Sequence, residues 1–405
     1  MGVFVTDGDQ RAALAVVRAL GSARIPVAVG SERSGSLASS SRYCAKSVLY
    51  PSPRRQPKQF QAFLRTEMSS GQYRALIPIT DLTVQLASDC RDALQPLACV
   101  PIAGETQIRL AQDKGHMLQL ARELGIACPQ TFVLQPGESV EELSRRIQFP
   151  VVIKPRVSWT LREGTWIQGP VQYARTPSEL VERYRRIHEQ IPCPLIQEQL
   201  DGPGEGVFLL IWDGKLQAAF CHRRLREKPP SGGVSVYRES VPLNQDLVEK
   251  SVKLLLAIGW SGVAMVEFKT DVRDGVAKFM EVNGRFWGSL QLALDAGVNF
   301  PLMLYRLACG EDVPSPQPYK VGVRSRWLLG DLDHLLLRLR KSAGLNGRLA
   351  ARPSRMRAVL DFFKLFEPNL RYEVLRWEDP VPGYVEFKDY VRALFGRPQE
   401  AGHEQ

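Results

Sequence analysis

Two acids and an amide near residue 280 set the chemistry to be explained. Glu267 lies in Val266-Glu267-Phe268, and Glu281 follows fourteen positions later in Phe279-Met280-Glu281-Val282-Asn283-Gly284-Arg285, with the turn signal Asp274-Gly275 between them. This spacing predicts two neighbouring strands joined by a hairpin. Side chains alternate along a strand, so Glu281 and Asn283 share one face and Glu267 can meet them from the adjacent strand. Two carboxylates and an amide oxygen form a hard, all-oxygen donor set of the kind that holds Mg2+ while leaving room for water and phosphate oxygens. Arg285, on the same face, is placed to meet a phosphate. A solvated surface hairpin would carry the same residue types, so the choice falls to the elements around it.

Those elements change character along the chain. Val3-Phe4-Val5-Thr6 reads as a buried strand, Gln10 to Leu20 as an amphipathic helix, Pro26 to Gly30 and Ala75 to Ile79 as further strands, and Asp81 to Ala93 as another helix. Strands alternating with helices predict a parallel sheet with crossover helices. The first turn, Thr6-Asp7-Gly8-Asp9-Gln10, lacks a G-x-G-x-x-G fingerprint, which argues against nicotinamide or flavin binding. Asp113 to Gly125 reads as a glycine-ended helix. From Pro150 the strands look antiparallel: Pro150 to Pro155, Pro194 to Leu200, and Glu205 to Trp212, which returns through Asp213-Gly214 to Lys215–Cys221. Near the end, Arg324 to Asp331 reads as strand then turn, and Arg355 to Phe366 as an amphipathic helix with Leu360, Phe363 and Phe366 inward.

A chain of 405 residues exceeds one core, so two or three domains are expected. The composition, 44% hydrophobic and 24% charged, is that of an ordinary soluble protein. No apolar run reaches bilayer length and the first ten residues lack a basic start followed by an apolar stretch, so a cytoplasmic location is expected. The seven cysteines (44, 90, 99, 128, 193, 221 and 309) never form C-x-x-C and read as reduced, mostly buried side chains. Five histidines without H-x-x-x-H spacing argue against a transition-metal site. Arg338 to Arg357 holds seven Lys or Arg and no acid within the net charge of +10. A solvated face is the commoner explanation of such a block, with nucleic-acid or membrane-surface binding as the rival.

Taken in order, an Asp-Lys helix start, V-I-K-P, Q-E-x-L before a Gly/Pro turn and a glutamate, and V-E-F followed by M-E-V-N-x-R resemble the ATP-grasp superfamily. The resemblance is nearer to uncharacterised carboxylate-amine ligases of its carbamoyl-phosphate-synthetase-like branch and covers roughly residues 1 to 310. It implies a mixed α/β and α+β protein: a preATP-grasp parallel α/β domain over residues 1–110, a two-subdomain ATP-grasp fold over 111–312, and a small C-terminal region over 313–405. It assigns Lys114 and Lys154 to the phosphates of ATP, for which a compact ammonium is suited. Gln197, Glu198 and Leu200 fall at the adenine hinge, and Glu205 takes the place of the ribose-binding acid. Glu267, Glu281 and Asn283 match the Mg2+ ligands, with Mn2+ as an alternative ion, and Arg285 matches the anion-stabilising arginine. Two departures stand out. Gly284 replaces the usual proline or threonine, which would loosen the backbone of Arg285, and the run Arg156 to Thr165 holds one glycine where the family folds a glycine-rich loop over the phosphates. Ser158, Thr160 and Arg162 remain as donors in that run.

His222-Arg223-Arg224-Leu225-Arg226-Glu227-Lys228-Pro229-Pro230-Ser231-Gly232-Gly233-Val234 reads as an anion-binding loop at the position of the loop that covers the acceptor, making Arg224 and Arg226 candidates for carboxylate or acyl-phosphate contact. Trp287 reads as core and Ser289 as a helix cap. The implied reaction is ATP-dependent joining of a small-molecule carboxylate to an amine through an acyl phosphate, a chemistry that needs positioning and charge neutralisation and no nucleophile triad. Carboxylation or phosphotransfer with bicarbonate or a hydroxyl acceptor is the alternative on the same frame. No nucleic-acid partner is expected, membrane contact through the basic block is the weaker reading of it, and a homodimer is compatible with the fold.

Overall fold

The computed structural model describes residues 1–135, 137–230, 232–313, 318–340 and 354–395. The chain opens with a parallel sheet in which β1 (Gly2–Val5) is flanked by β2 (Val27–Ser31) and β4 (Tyr73–Ile77), with β3 (Cys44–Leu49) beyond β2. Parallel pairs need crossovers. The α1 helix (Arg11–Ser22) carries β1 to β2, and α2 (Pro57–Met68) carries β3 to β4. The expected helix over Asp81–Ala93 is broken at Cys90, whose φ of −117° and ψ of 22° leave the helical region, giving α3 (Asp81–Asp89) and α4 (Arg91–Leu94). Two further helices, α5 (Glu105–Gln112) and α6 (Lys114–Glu123), meet at Asp113, whose carboxylate accepts the His116 N–H and caps α6.

A second sheet is antiparallel. It contains β5 (Thr131–Phe132), β6 (Val151–Lys154), β9 (Gln172–Ala174) and β10 (Leu195–Glu198) in the order β5-β10-β6-β9, against α7 (Val140–Arg146) and α8 (Pro177–Gln190). Between β6 and β9 a hairpin, β7 (Trp159–Arg162) and β8 (Thr165–Gln168), stands apart.

The largest sheet has seven strands: β11 (Gly204–Trp212), β12 (Lys215–Lys228), β13 (Val234–Ser240), β14 (Gly262–Thr270), β15 (Ala277–Asn283), β16 (Arg324–Arg326) and β17 (Leu370–Tyr372), ordered β15-β14-β11-β12-β13-β16-β17. Alternation along these strands divides two cores. Val207, Leu209, Phe268 and Phe279 face α5, α6 and α9 (Gln245–Ala257). Phe208, Leu210, Phe220 and Met265 face the other way, into a core shared with Leu14 and Val17 of α1 and with α10 (Leu290–Ala296) and α11 (Phe300–Ala308). The N-terminal sheet is thereby packed onto the large one through α1. Trp287 is core as expected, 1% exposed in that cluster.

The last part of the chain departs from the sequence expectations. β16 and β17 extend the large sheet, and the stretch read as a turn after Arg326 is instead α12 (Leu328–Leu339). The α13 helix (Arg355–Phe362) stops before Phe366, and Leu360, Phe363 and Phe366 are exposed rather than inward. The final helix is α14 (Val381–Phe395). Most of the basic block between Arg338 and Arg357 lies outside the described residues. Of the cysteines only Cys221 is buried; Cys193 is exposed and the other five are half-buried, so the expectation of mostly buried thiols fails. Among the described residues, no helix is long and apolar enough to cross a membrane.

Candidate functional site

The β14–β15 hairpin forms with the register the spacing requires. Glu267 stands directly opposite Glu281, and Met265 opposite Asn283. A bulge between Glu267 and Phe268 leaves Met280 unpaired, so Glu281 and Asn283 keep the face of Glu267 while Phe268 and Phe279 point into the opposite core. The Asn283 amide approaches Glu281 Oε1 at 3.4 Å.

Two lysines converge on this pair from other elements. The Lys114 N–H donates to the Arg156 carbonyl at 3.0 Å, which ties the start of α6 to the segment after β6. Lys114 Nζ lies 3.7 Å from Glu281 Oε2 and donates to Ser158 Oγ at 3.0 Å. Lys154, the last residue of β6, is only 7% exposed. Burial pushes its amine down to about 8, with Glu281 and Glu267 opposing and Lys114 adding to the fall. The facing carboxylates are driven apart. Burial and Glu281 raise Glu267 against the pull of Arg224, whereas burial of Glu281 is outweighed by Lys114 and Lys154, which hold it below the usual range. Among the described residues no three of His, Cys, Asp and Glu gather as a metal site, so the donors available here to a cation are two acids and an amide. Their all-oxygen chemistry and shared face fit Mg2+ better than a softer ion.

The three candidate arginines divide. Arg224 pairs across the sheet with Arg238, sends Nη2 to Glu267 Oε2 at 2.5 Å and Nη1 to Glu227 Oε1 at 2.9 Å, and so belongs to the acidic face. A bulge between Arg224 and Arg226 turns the latter to the opposite face, against Tyr237. There Arg226 chelates Asp331 of α12 at 2.6 and 2.7 Å. Arg226 is therefore not brought to the acids, and the expected loop is strand β12 as far as Lys228. Only residues 229–233 turn, with Ser231 outside the described residues. Arg285 lies at the end of β15, its Nε 3.1 Å from Asp81 Oδ1 of α3 and its Nη2 3.4 Å from Asn283 Oδ1. Gly284 does not loosen it: a Cβ at this position would sit 2.3 Å from the Trp260 ring, so glycine is demanded by packing.

The expected nucleotide residues lie on β10 and the start of β11. Gln197 is 1% exposed and donates to Thr131 Oγ1 at 2.8 Å, and Leu200 is buried. Glu198 reaches Arg273 at 2.7 Å and Lys278 at 3.5 Å, bridging the second sheet to the β14–β15 hairpin. Burial works upward on its carboxyl and is outweighed by Arg273, the Gln130 N–H and Lys278, which hold it low. Glu205 pairs with Phe268, on the face opposite Glu267, and accepts from Thr270 Oγ1 at 2.8 Å. Of the donors expected after Lys154, Ser158 meets Lys114, while Arg162 donates to the Glu189 carbonyl and Arg156 to Asp113.

Asp81, His222 and Ser289 take places at the site that their sequence readings did not foresee. Asp81 reads as an ordinary first-turn acid until the fold sets it beside Arg285, 204 positions away. His222, 1% exposed, shares the row of Glu267 across Gly206 and bonds Ser289 Oγ at 2.8 Å. Ser289 occupies the N-cap position of α10 but its side chain does not cap the helix. Burial, with Arg238 and Arg224 adding, pushes His222 far below its ordinary value, so the ring is neutral.

Comparison with known proteins bears on the fold. Residues 169–330 match the family described as ATP-grasp in the biosynthetic pathway with Ter operon. Among solved structures, the biotin carboxylase domain of 2-oxoglutarate carboxylase from Hydrogenobacter thermophilus, in complex with MgADP, ADP and bicarbonate, matches with a TM-score of 0.64 at 15% identity, over 80% of this chain and 73% of that one. The N5-carboxyaminoimidazole synthetase of Staphylococcus aureus with ADP gives 0.61 at 12% identity, over 80% of each chain. The L-amino acid ligase of Bacillus licheniformis gives 0.58 at 14% identity, over 76% of this chain and 74% of that one. At such identities these likenesses show the fold, which has both ligases and carboxylases among its neighbours. The chain thus has the fold of these neighbours, and over residues 169–330 it is similar to an ATP-grasp family.

Proposed function

We propose that this protein is an ATP- and Mg2+-dependent ligase that activates a carboxylate as an acyl phosphate and transfers the acyl group to an amine. The observation that carries the reading is the convergence of Lys114 and Lys154 on the Glu267–Glu281 pair, since a buried and a half-buried lysine, brought from β6 and α6, stand against two facing acids of the large sheet. Glu267, Glu281 and Asn283 would hold Mg2+. When bound, the ion supplies neutralisation of the triphosphate charge. Lys154 and Lys114 orient the phosphates, and the hinge residues Gln197, Glu198 and Leu200 with Glu205 receive the nucleoside. A carboxylate oxygen of the acid substrate attacks the terminal phosphorus and the bond to the ADP oxygen breaks. The amine nitrogen then attacks the acyl carbon, phosphate departs with the bonding pair, and the amine loses a proton. Arg224 and Arg285 steady the negative charge on the acid and on the tetrahedral intermediate. Arg226 has no part in this scheme. The cytoplasm, where ATP and Mg2+ are abundant, is the compartment that suits it, and Mn2+ is expected to substitute.

The test is a screen of carboxylate and amine pairs for ADP and phosphate release, followed by a carboxylate labelled with 18O. One labelled oxygen appearing in phosphate, with amide formed, supports the reading. Amine-independent release with bicarbonate, or phosphate carried to a hydroxyl, would replace it with carboxylation or phosphotransfer.

A further inference from the structure

The α14 helix is inverted. Its polar residues face the body of the protein: Glu386 accepts from Trp327 Nε1 at 2.7 Å, Asp389 meets Arg33 at 2.7 Å, and the Tyr390 hydroxyl donates to Asp333 at 2.6 Å. Only Pro382 is buried in the whole helix. The opposite stripe is apolar and open to solvent, with Tyr384 67%, Phe387 57%, Leu394 59% and Phe395 86% exposed and Val391 half-buried. Soluble helices normally turn such a stripe inward. Exposed aromatic surface of ~150–250 Å² per ring, joined by Leu375 and Val381, approaches the ~800 Å² per partner of a standard interface and exceeds the patches usual on a monomer.

The spacing of the stripe selects its occupant. Tyr384, Phe387, Val391 and Leu394 repeat at intervals of three, four and three, the seam of a helix that packs against another helix. The stripe is also self-complementary when reversed about residue 389. Tyr384 then faces Leu394 and Phe387 faces Val391, so each aromatic side chain meets a smaller one. Gly383 lets Leu375 pack onto the start of the helix: a Cβ there would lie 2.9 Å from Leu375 Cδ1. An isologous contact demands this reciprocity, whereas a lipid surface needs only apolar area and positive charge. We infer that the exposed face of α14 is covered by the same face of a second copy of this chain, the two helices running antiparallel about a twofold axis near Asp389.

Sedimentation of the full chain across micromolar concentrations tests this. The wild type is expected to be a dimer, and Phe387→Lys to weaken it by ~30-fold or more, the effect of an interface hot spot. The melting temperature of the protomer should not change, because Phe387 is exposed within it. Val391→Glu should act alike, and mixing the two monomeric variants should restore a dimer, since the new lysine of one faces the new glutamate of the other. A wild type that stays monomeric, or a dimer indifferent to Phe387→Lys, would overturn the inference. Failure of the mixture to associate would overturn the antiparallel pairing. A monomer that floats with phosphatidylserine vesicles would give the face to a lipid surface instead.

Discussion

At the β14–β15 end of the large sheet two carboxylates face each other and keep part of their surface, Glu267 at 21% and Glu281 at 30% exposed. At the other end the charges are shut in and matched. Glu373, 2% exposed, takes both Arg11 of α1 and Arg238 of β13, while Asp331, 1% exposed, takes Arg226 and Arg326. The first cluster sets like charges together and relies on lysines from distant elements; the second sets opposite charges together and joins the N-terminal sheet, the large sheet and the C-terminal segment. Like charges held close cost stability, and a fold retains that cost where a ligand will repay it; buried matched pairs cost most when one member is removed. The same sheet therefore separates an end of like charges from an end of matched ones, and two of the three arginines of β12, Arg224 and Arg226, mark the division. One bulge sends Arg224 to the first and Arg226 to the second.

The comparison can be broken most directly at the acids. Glu281→Gln and Glu267→Gln are each expected to lower the rate of phosphate release by ~10³-fold, as the loss of a main electrostatic contact to transferring phosphate does, with unfolding in urea unchanged or shifted to higher denaturant. Loss of stability in step with activity would merge the two clusters. Glu373→Gln should do the reverse. Leaving Arg11 and Arg238 without a counter-charge should cost about 3–5 kcal/mol of unfolding free energy, with phosphate release per folded molecule retained. Next comes the arginine pair: Arg224→Met should lower turnover by ~100-fold, and Arg226→Met should lower the melting temperature while sparing turnover. Equal effects of the two on turnover would contradict the bulge as the divider.

The smallest effect concerns pH. Burial raises Glu386 from an ordinary value of 4.5 to about 7, against the Trp327 hydrogen bond and Arg11. Between those values the unfolded chain has released a proton that the folded protein keeps, so stability falls as pH rises from 4.5 through 7 and that loss is complete above it. Glu386→Gln should flatten this part of the profile, melting ~2 °C above the wild type at pH 8 and level with it at pH 4. A wild-type advantage at pH 8 would show that the carboxylate is ionised and stabilising.

What the sequence made legible was local. The hairpin of acids was readable because β-alternation and a turn dipeptide fix a register within seventeen residues, from Glu267 to Asn283. The parallel sheet was readable from its apolar strands, although β3 was not: its burial alternates poorly and its residues are mostly exposed. Bulges were illegible, since one inserted residue leaves no mark on composition, and Leu225 alone decides that Arg226 leaves the site. Long-range partners were illegible as well. Asp81 for Arg285 and Glu373 for Arg11 are set by how layers stack, and Gly284 spoke of looseness until Trp260 was found against it. The inward expectation for Leu360, Phe363 and Phe366 failed because an amphipathic period states that one face is apolar and not which way it points.

In the proposed reaction Glu267, Glu281 and Asn283 hold the cation that carries the nucleotide's phosphates. Calorimetric titration of a non-hydrolysable ATP analogue into the wild type and Glu281→Gln, each with Mg2+ and with EDTA, tests it most directly. Wild-type affinity should fall ~100-fold without Mg2+, and the variant should bind weakly and alike in both. Wild-type binding indifferent to EDTA, or a variant that keeps the full response to Mg2+, would show that these three side chains do not hold the cation.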